Sequence, residues 1–599
     1  MEQRRHEPQS IGKFTAHTEG LFVDNGGTAK RISDAIWHIG NAVRDDGGGA
    51  ADIVGFVDRN GASREIVIPH KDSVLRAGKM LEYLVDQNFA VPEAKADRAL
   101  LASYLAELRQ SQSRKFLLVR RMGWHGASFV IGADVISADA AVGIRLDGPL
   151  SRVIEKFGQG GLLPEYQKRV LLRARYSSRL MLGVALALLA PLARIISLEN
   201  GGINIVGKPG VGKTTLLRVI GSFYGGGPVA YINSWLMTDN APETLGITHC
   251  DLPLLLDELA TLEPDPQKAG GRLKAIVHRL ALGQGKSTSH RAQSDDRGPT
   301  DFHVIYASTS EHRLPDFMRE GCSEVTGGQV ARFVDVPANP GRGRLIFEYL
   351  PRRRAKLARQ ASKRVAPHKY LQRINKACQS NYGVAGRVYL EHIVQDRRTN
   401  PGELEAFLAK EMDIFENEVA NDPHVDARIR RRFAALYAAG QLGLRYKIVP
   451  RKCDRFMDTI GACYRDAVAL LAPPVPVSDT EAIDTLAGFL RSHRKELLKP
   501  DGKHPLTTQS YRTALGVRPS TKRHGNCVWL KTPAFRELFA NFHEAVAKRL
   551  VAVGIIRVDK KGHMTQQQRI PGLGTKEYFY VIDRVKLRAA RKPRTNRQT

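Results

Sequence analysis

The sequence predicts a mixed α/β fold whose central segment is a doubly wound parallel sheet. Five short apolar runs alternate with helical patterns, the order that places parallel strands in one sheet. The runs are Ile203–Val206, Val229–Ile232, Leu252–Leu256, Phe302–Ala307 and Phe333–Val336. Hydrophobic residues make up 42% and charged residues 25% of the 599-residue chain, which are globular proportions. At about 150 residues per domain, the length allows roughly four domains. The composition excludes a wholly disordered or fibrous chain.

The first two predicted domains differ in their patterns. Residues 1–165 predict a β-rich N-terminal domain, because Ile53–Asp58 and Ser63–Pro69 flank Asn60-Gly61, a strong hairpin signal. Residues 166–345 contain the five apolar runs and predict the α/β core.

The remaining two predicted domains are helical and basic. Residues 346–472 predict a helical lid, in which residues 351–376 carry ten Lys/Arg and no acid. Such a stretch is either a solvated helix or a phosphate-contacting surface. A Pro-rich linker at 472–476 leads to residues 473–599, where helices precede a strand pair. That order is typical of a winged helix, and residues 584–599 predict a basic tail.

The charge of the chain indicates its partner. The 91 Lys and Arg exceed the 61 Asp and Glu by 30, and a positive field of this size favours nucleic acid over a membrane surface. The longest apolar run, Leu180–Ala193, has 14 residues and is too short to span a bilayer. The first ten residues lack the apolar core of a secretory signal, and the six cysteines form no C-x-x-C pair. We therefore expect a soluble cytoplasmic protein without a membrane partner.

The strongest motif is a glycine-rich loop between an apolar run and a helical pattern. Residues 207–214 fit G-x-x-x-x-G-K-[ST] at every position. The glycines let backbone N–H groups turn towards phosphates at a helix N-terminus, while Lys213 reaches the β- and γ-phosphates and the Thr214 hydroxyl binds Mg²⁺. ATP and Mg²⁺ are the expected cofactors, and an ordinary Gly-rich turn is the alternative. The expected nucleotide-binding residues are Gly207, Lys208, Pro209, Gly210, Val211, Gly212, Lys213, Thr214 and Thr215.

A second motif supplies two carboxylates. The apolar run of residues 252–256 ends in Asp257-Glu258, 44 residues after Lys213. Asp257 is expected at the tip of a strand beside the magnesium. Glu258 is expected to polarise the attacking water as the general base. The pattern is weak alone but strong at this distance from the first motif, and it predicts hydrolysis.

The extra strand between the two motifs places the chain with the RecA and AAA+ ATPases rather than the simplest P-loop kinases. Those enzymes carry a polar sensor at the tip of the next strand. Here the run Phe302–Ala307 is followed by Ser308-Thr309-Ser310. Thr309 or Ser308 is the expected sensor that orients the lytic water, and an ordinary strand-end turn is the alternative.

Two arginines are candidates for contacts to the nucleotide. Arg332, at the start of the last strand, is the candidate arginine finger inserted into a neighbouring subunit, a contact worth about 10³–10⁵ in rate. Arg387, in Tyr382–Arg387, is the candidate lid arginine. Arginine is so frequent in this chain that a structural role is an equal alternative for each.

A polar loop before the sensor strand is the candidate DNA contact. Residues 283–291 read GQGKSTSHR, and ring helicases carry a pore-lining hairpin at this point. Lys286 and Arg291 are the expected phosphate contacts, which are independent of sequence and sensitive to salt. A solvent loop is the alternative. No Asp-x-Asp occurs in the chain, which argues against a primase or polymerase centre.

These stretches resemble the domain of unknown function 927 family, helicase-like P-loop proteins, from about Phe14 to Leu471. The matching segments are GWHG at 123–126, SLENGGINIVGKPGVGKTTLLRVIGSFYG, LLLDELA, ALGQGK, YASTSE, QVARFVDVP, YGVAGR and RRFAALYAAGQLG. The C-terminal IPGLG and YFYVI resemble the wing that ends such chains.

That family is similar to MCM-like ring helicases of mobile elements, phages and plasmids. The resemblance implies a AAA+-like homohexameric ring, ATP and Mg²⁺, and single-stranded DNA in a central pore. The winged-helix end and the basic tail are expected to hold duplex DNA or an origin. It also supports Arg332 as the arginine finger. The expected function is an ATP-driven DNA translocase or helicase that replicates a mobile element or phage.

Two other functions stay open at this point. The same motifs serve a DNA-binding ATPase that is no helicase, such as a loader, initiator or defence switch. A nucleic-acid-binding protein with a vestigial ATP site would bind DNA without turnover.

Overall fold

The computed structural model forms two compact units, residues 1–470 and residues 471–599. The residues it describes are 8–45, 49–111, 114–138, 143–147, 154–238, 241–263, 265–284, 301–320, 331–341, 344–351, 366–471, 479–494, 496–500, 508–519, 526–539, 543–560, 562–570, 573 and 575–590.

The first part of the first unit is rich in strands, as expected. Strands β1–β4 form an antiparallel sheet, β5–β8 and β12 form a mixed sheet in the order β12-β8-β5-β6-β7, and β9–β11 form a small antiparallel sheet. The strands are β1 (Gln9–Ile11), β2 (Phe14–His17), β3 (Gly20–Asp24), β4 (Ala29–Ser33), β5 (Ile36–Arg44), β6 (Ala50–Val57), β7 (Ser63–Pro69), β8 (Lys115–Val119), β9 (Gly123–His125), β10 (Ser128–Ile131), β11 (Asp134–Ile136) and β12 (Gly143–Leu146).

Helices cover this part and close its core. The β6–β7 hairpin turns at Asn60-Gly61, where Gly61 has φ +80°, so the hairpin signal is confirmed. The helices are α1 (His70–Leu75), α2 (Ala77–Asp86) and α3 (Lys95–Glu107). Their apolar faces pack on the first two sheets around Phe14, Phe56 and Tyr104.

A five-stranded sheet forms the centre of the first unit. The strands run parallel in the order β14-β15-β16-β13-β17. All except the short edge strand β14 are buried on both faces, as parallel strands are. The mixed α/β fold is confirmed, and the parallel arrangement is limited to this sheet, since the other sheets are antiparallel or mixed. The strands are β13 (Gly201–Val206), β14 (Asn233–Ser234), β15 (Pro253–Asp257), β16 (Ile305–Ser310) and β17 (Phe333–Pro337).

The sensor strand lies three residues later than its apolar run predicts. Phe302–Ala307 was the predicted strand, whereas β16 runs from Ile305 to Ser310. The polar residues continue the strand because β13 pairs with all six residues and their hydroxyls find partners inside the protein. Buried hydroxyls are tolerated when they are hydrogen-bonded.

Helices of the first unit surround the sheet and continue after it. The apolar run from Leu180 forms a fully buried helix that packs on the helix after the glycine-rich loop. Among the described residues, no helix is long and apolar enough to cross a membrane. The helices are α4 (Leu163–Tyr166), which continues as one π-turn (Gln167–Leu171), α5 (Leu172–Ala174), α6 (Ser178–Leu189), α7 (Lys213–Gly221), α8 (Ala241–Thr248), α9 (Pro266–Leu282), α10 (Leu314–Glu320), α11 (Pro367–Ser380), α12 (Val384–Thr399), α13 (Glu403–Glu418), α14 (Ala427–Arg445) and α15 (Phe456–Leu471).

The second unit packs helices on a mixed sheet in the order β18-β19-β20-β23-β21, with β22 paired to β23. Two of its helices, α18 and α19, precede the antiparallel pair of β21 and β23, in the order expected from the sequence. Phe535 and Ile582 lie in its core. The elements are α16 (Asp479–Ser492), β18 (Leu497–Leu498), α17 (Thr508–Thr513), β19 (Gly516–Val517), β20 (Cys527–Lys531), α18 (Thr532–Phe539), α19 (His543–Ala552), β21 (Ile556–Arg557), β22 (Gln566–Arg569), β23 (Lys576–Asp583) and α20 (Arg584–Ala590).

Candidate nucleotide site

The glycine-rich loop connects the carboxyl end of β13 to the first turn of α7. Gly210 and Gly212 have φ values of +76° and +113°, a conformation that glycine adopts without strain. Gly212 is also the N-cap of α7, and a Cβ there would lie 3.1 Å from Leu371 of α11. The loop therefore presents a helix N-terminus at the edge of the sheet, where anions are stabilised.

Lys213 lies at the first position of α7 and folds over its own loop. Its ammonium donates hydrogen bonds to the carbonyl oxygens of Gly207 and Lys208, the latter at 3.1 Å. Burial lowers the pKa of Lys213, while the charges of Glu311 and the two carboxylates of the second motif oppose that shift. The ammonium of Lys213 is thus a partly desolvated cation that lies over the loop predicted to bind the phosphates.

Asp257 ends β15 directly beside the loop. Its Oδ2 accepts a hydrogen bond from the Thr214 hydroxyl at 3.0 Å. A hydroxyl and a carboxylate in contact are the donor set that holds Mg²⁺ together with nucleotide phosphates. The residues present therefore fit the expected metal.

Glu258 and Thr309 lie next to Asp257 and are connected to it by hydrogen bonds. Glu258 has φ +62°, a left-handed conformation that is rare outside glycine and concentrated at functional sites. Its backbone N–H donates to the Thr309 hydroxyl at 3.1 Å, and that hydroxyl donates to Oδ1 of Asp257. Thr309 thus ties the two carboxylate residues to the tip of β16.

The structure separates the two candidate sensors. Ser308 is fully buried, and its hydroxyl accepts a hydrogen bond from Nε1 of Trp235 at 2.8 Å. Successive side chains of a strand point to opposite faces, so Ser308 points away from Asp257 while Thr309 contacts it. Of the pair predicted from the sequence, the structure brings Thr309 to the site and leaves Ser308 in the core.

A buried polar network supports the next residue of β16. Asn204 of β13 donates from Nδ2 to the Ser310 hydroxyl at 2.8 Å and to Oδ1 of Asp335 at 2.7 Å. Oδ2 of Asp335 accepts from the backbone N–H of Leu314 at 3.0 Å. Burial raises the pKa of Asp335 to about 7. This carboxyl therefore changes charge near neutral pH, one strand away from the glycine-rich loop.

The motifs enclose one cavity of about 440 Å³. Its walls come from the glycine-rich loop, α7, the ends of β15 and β16, and α11. From α11 it receives His368, Gln372 and Asn375, which sequence analysis missed because isolated polar residues on a helix carry no motif. Oδ1 of Asn375 is buried, and no described residue donates a hydrogen bond to it.

Arg332 lies at the other edge of the sheet. It precedes β17, whose first residue, Phe333, pairs with Gly202 near the start of β13. Its side chain is half-buried, and Nε lies 4.0 Å from Oε2 of Glu199. Within one chain, the structure does not bring Arg332 to the cavity.

Arg387 is a structural residue in this conformation. It is buried, and its guanidinium donates to Oδ2 of Asp134 at 3.0 Å, to the carbonyl of Tyr224 at 2.8 Å and to the carbonyl of Phe157. The proposed lid contact is therefore not formed, because all three arms of the side chain bind α12 to neighbouring segments.

The candidate DNA contacts Lys286 and Arg291 lie outside the described residues. The residues on either side of that segment are close together, since Gln284 and Asp301 form an antiparallel bridge. The backbone N–H of Phe302 also donates to the carbonyl of Gly283 at 2.8 Å.

The chain shares its fold with a solved helicase. It is similar to the structure titled "SCCmec type IV Cch - active helicase", at 15% sequence identity and a TM-score of 0.57, and the match covers 97% of this chain and 99% of that one. At this identity the likeness concerns the fold. No curated protein matches the chain.

A family model matches residues 33–298 of the chain, within the first unit. It is described as Domain of unknown function (DUF927). The matched region is shorter than the resemblance from Phe14 to Leu471, and it contains the glycine-rich loop, Asp257 and Glu258. The resemblance is confirmed there, because residues 33–298 match the DUF927 family model.

Proposed function

We propose that this protein is an ATP-hydrolysing DNA translocase or helicase of the P-loop class, with a AAA+-like core. The observation that carries the proposal is the meeting of Lys213, Thr214, Asp257, Glu258 and Thr309 around one cavity. The cavity lies at the carboxyl edge of a parallel sheet, where ligands of open α/β folds bind.

Each residue of the site has a role in hydrolysis. Backbone N–H groups of the glycine-rich loop and the Lys213 ammonium neutralise phosphate charge. Thr214 and Asp257 would hold Mg²⁺, which would neutralise further charge on the phosphates. Glu258 accepts a proton from the attacking water, and Thr309 holds the backbone of Glu258 in position.

DNA is the proposed polymer substrate. The excess of 30 positive charges favours a polyanion, and the solved structure with the similar fold is titled an active helicase. Lys286 and Arg291 stay proposed contacts to a single strand in the pore of a homohexamer. A replicative role for a mobile element or phage rests on the family resemblance.

Steady-state ATP hydrolysis with and without single-stranded DNA tests the proposal. We expect DNA to stimulate the wild type, and Lys213→Ala and Glu258→Gln each to reduce turnover at least 100-fold. Lys208→Ala is the matched control in the same loop, because Lys208 is expected to bind the nucleotide only through its backbone. Its exposed side chain forms no hydrogen bond with the described residues, and its carbonyl contacts Lys213. Full turnover in Glu258→Gln would contradict the site.

A forked DNA substrate separates the motor from its rivals. Strand displacement that needs ATP and Lys213 supports a helicase. Turnover that ignores DNA indicates a switch, and DNA binding by a chain without turnover indicates a vestigial site.

A further inference from the structure

The unit of residues 471–599 contains a cavity of its own, with a volume of about 230 Å³. Its floor is apolar and includes Leu497 and Val528, both in the core of the unit. Its walls are cationic, and no acidic side chain of the described residues lines it. The five arginines of the cavity, named here the arginine cluster, are Arg491, Arg494, Arg518, Arg584 and Arg588.

Regular structure positions the arginine cluster. Arg491 lies in the last turn of α16, and Arg518 follows β19 directly. Arg584 and Arg588 lie four residues apart on α20, a spacing that puts both on one face of a helix. Leu587, on the same helix, anchors α20 in the core. The cluster is therefore held by packed elements.

The positive charges of the cluster are not balanced inside the cavity. Nε of Arg518 is buried and has no hydrogen-bond partner among the described residues, and its Nη2 donates to the carbonyl of Arg494 at 3.4 Å. Burial and the charges of Arg494 and Arg584 lower the pKa of Arg518. The nearby Asp583 is bound elsewhere, 2.7 Å from Arg557. Guanidinium groups that repel one another gain stability when an anion comes between them.

We propose that the arginine cluster binds phosphate groups of a DNA backbone. Guanidinium forks match phosphate geometry, and exposed Arg491, Arg494 and Arg588 extend the site along the surface for adjacent phosphates. Residues 471–599 contain 25 Lys/Arg and 10 Asp/Glu, a difference of +15 and half of the excess of the chain. Such a field favours a long polyanion over one small anion. The inference rests on the nucleic-acid part of the proposed function and not on ATP hydrolysis.

Duplex binding by the full chain tests this site. We compare Arg494→Gln/Arg518→Gln/Arg588→Gln with a charge-matched control, Arg512→Gln/Arg536→Gln/Lys560→Gln, whose residues are exposed and outside the cavity. Fluorescence anisotropy of a labelled duplex over a salt series gives the slope of log K against log[salt]. Three lost phosphate contacts reduce the magnitude of that slope by about 2.7. We expect this reduction, with at least tenfold weaker binding, in the cluster variant only.

Several outcomes would overturn the inference. One is an equal loss of affinity in the two variants, and another is no duplex binding by the wild type. A third is that polyglutamate, at the same concentration of negative charge, displaces the duplex from the wild type but not from the cluster variant. Single Arg518→Gln provides a second measurement, with an expected slope change of about 0.9, if the triple variant folds poorly. The result is independent of the motor, because Lys213→Ala should bind duplex normally and the cluster variant should keep its DNA-free ATPase rate.

Discussion

Thr309 is the residue that connects Asp257 and Glu258, the two proposed catalytic carboxylates. One hydroxyl accepts from the backbone of Glu258 and donates to Asp257. Thr309→Val removes both hydrogen bonds without changing the shape of the side chain, so we expect kcat to fall about 10²-fold while ATP binding is kept. Thr309→Ser keeps the hydroxyl and should retain most of the activity. Steady-state kinetics with nucleotide binding measured separately checks this.

Ser308 is the matched control on the neighbouring position. Ser308→Ala removes the acceptor of the Trp235 indole, which leaves a buried donor unpaired and costs about 1–3 kcal/mol of stability. Its kcat should stay near that of the wild type. A loss of kcat in Ser308→Ala as large as in Thr309→Val would contradict the assignment of roles.

Asp335 predicts a dependence of stability on pH. Its pKa rises from the ordinary 3.8 to about 7 in the folded protein, because burial outweighs the hydrogen bonds from Asn204 and Leu314 and the charge of Arg313, while Asp316 acts in the same direction as burial. A raised folded pKa contributes stability that is complete below about pH 4 and is lost as the pH rises to about 7.

Asp335→Asn removes this titration. Thermal unfolding between pH 4 and pH 8 should show a smaller decline with rising pH in the variant than in the wild type. Asp316→Asn is the control, since that carboxyl lies close by and is more exposed than Asp335. Parallel pH profiles of the wild type and Asp335→Asn would contradict the assignment.

At the scale of residues, the sequence predicts which residues form the motifs, but it does not predict the direction in which each side chain points. Gly207–Thr214 and Asp257 carry their spacing in the sequence, and the structure brings them together. Ser308 and Thr309 are adjacent hydroxyls, and only the register of β16 against β13 decides which one faces Asp257. The sequence around Arg387 suits a lid arginine. Its hydrogen-bond partners Asp134 and Phe157 are distant in sequence, so its structural role could not be predicted.

Among the elements, the start of β15 is connected to the N-terminal sheets by one buried carboxylate. Asp251 has no exposed surface and φ +57°. It accepts from the backbone N–H of Trp124 at 3.0 Å and from Nε of Arg194 at 2.9 Å, and Arg121 lies 3.6 Å away. The GWHG turn is therefore bound to the strand that ends in Asp257.

Asp251→Asn leaves Arg194 and Arg121 without their buried anion. Removing one partner of a buried ion pair costs about 3–5 kcal/mol, and we expect this loss in the free energy of local opening. Hydrogen exchange of the peptide 122–131 measures it. Asp97→Asn, which removes a more exposed pair with Lys30, should cost at most about 1 kcal/mol. Equal protection in Asp251→Asn and the wild type would contradict this link.

Elements of the core could be predicted where the pattern of their own residues determines their structure. The buried helix from Leu180 and the β6–β7 hairpin follow from their own residues. Strand β14 lies at Asn233–Ser234, whereas the apolar run predicts Val229–Ile232. Pairing of β14 with Leu256 and Asp257 of β15, which is far along the chain, decides that position. Helix α11 reaches the cavity for the same non-local reason.

At the scale of the molecule, the nucleotide cavity and Arg332 lie at opposite edges of one sheet. Strand β13 spans six residues between them, or about 20 Å. A residue at the far edge of the sheet can complete the site of a second copy in a head-to-tail ring. Arg332 and Arg428 both lie near Glu199 at this edge. Arg428 therefore provides a matched control for substitutions of Arg332.

A mixing experiment tests whether Arg332 acts on the neighbouring subunit. Lys213→Ala and Arg332→Ala should each lose at least 10³-fold in turnover. In a ring assembled from equal amounts of both, about a quarter of the interfaces combine an intact Lys213 with an intact Arg332. Turnover should therefore recover towards a quarter of the wild-type rate. Arg428→Ala should stay active. A mixture no faster than its two components would mean that Arg332 does not complete a neighbour's site, since only contact between subunits can restore activity here.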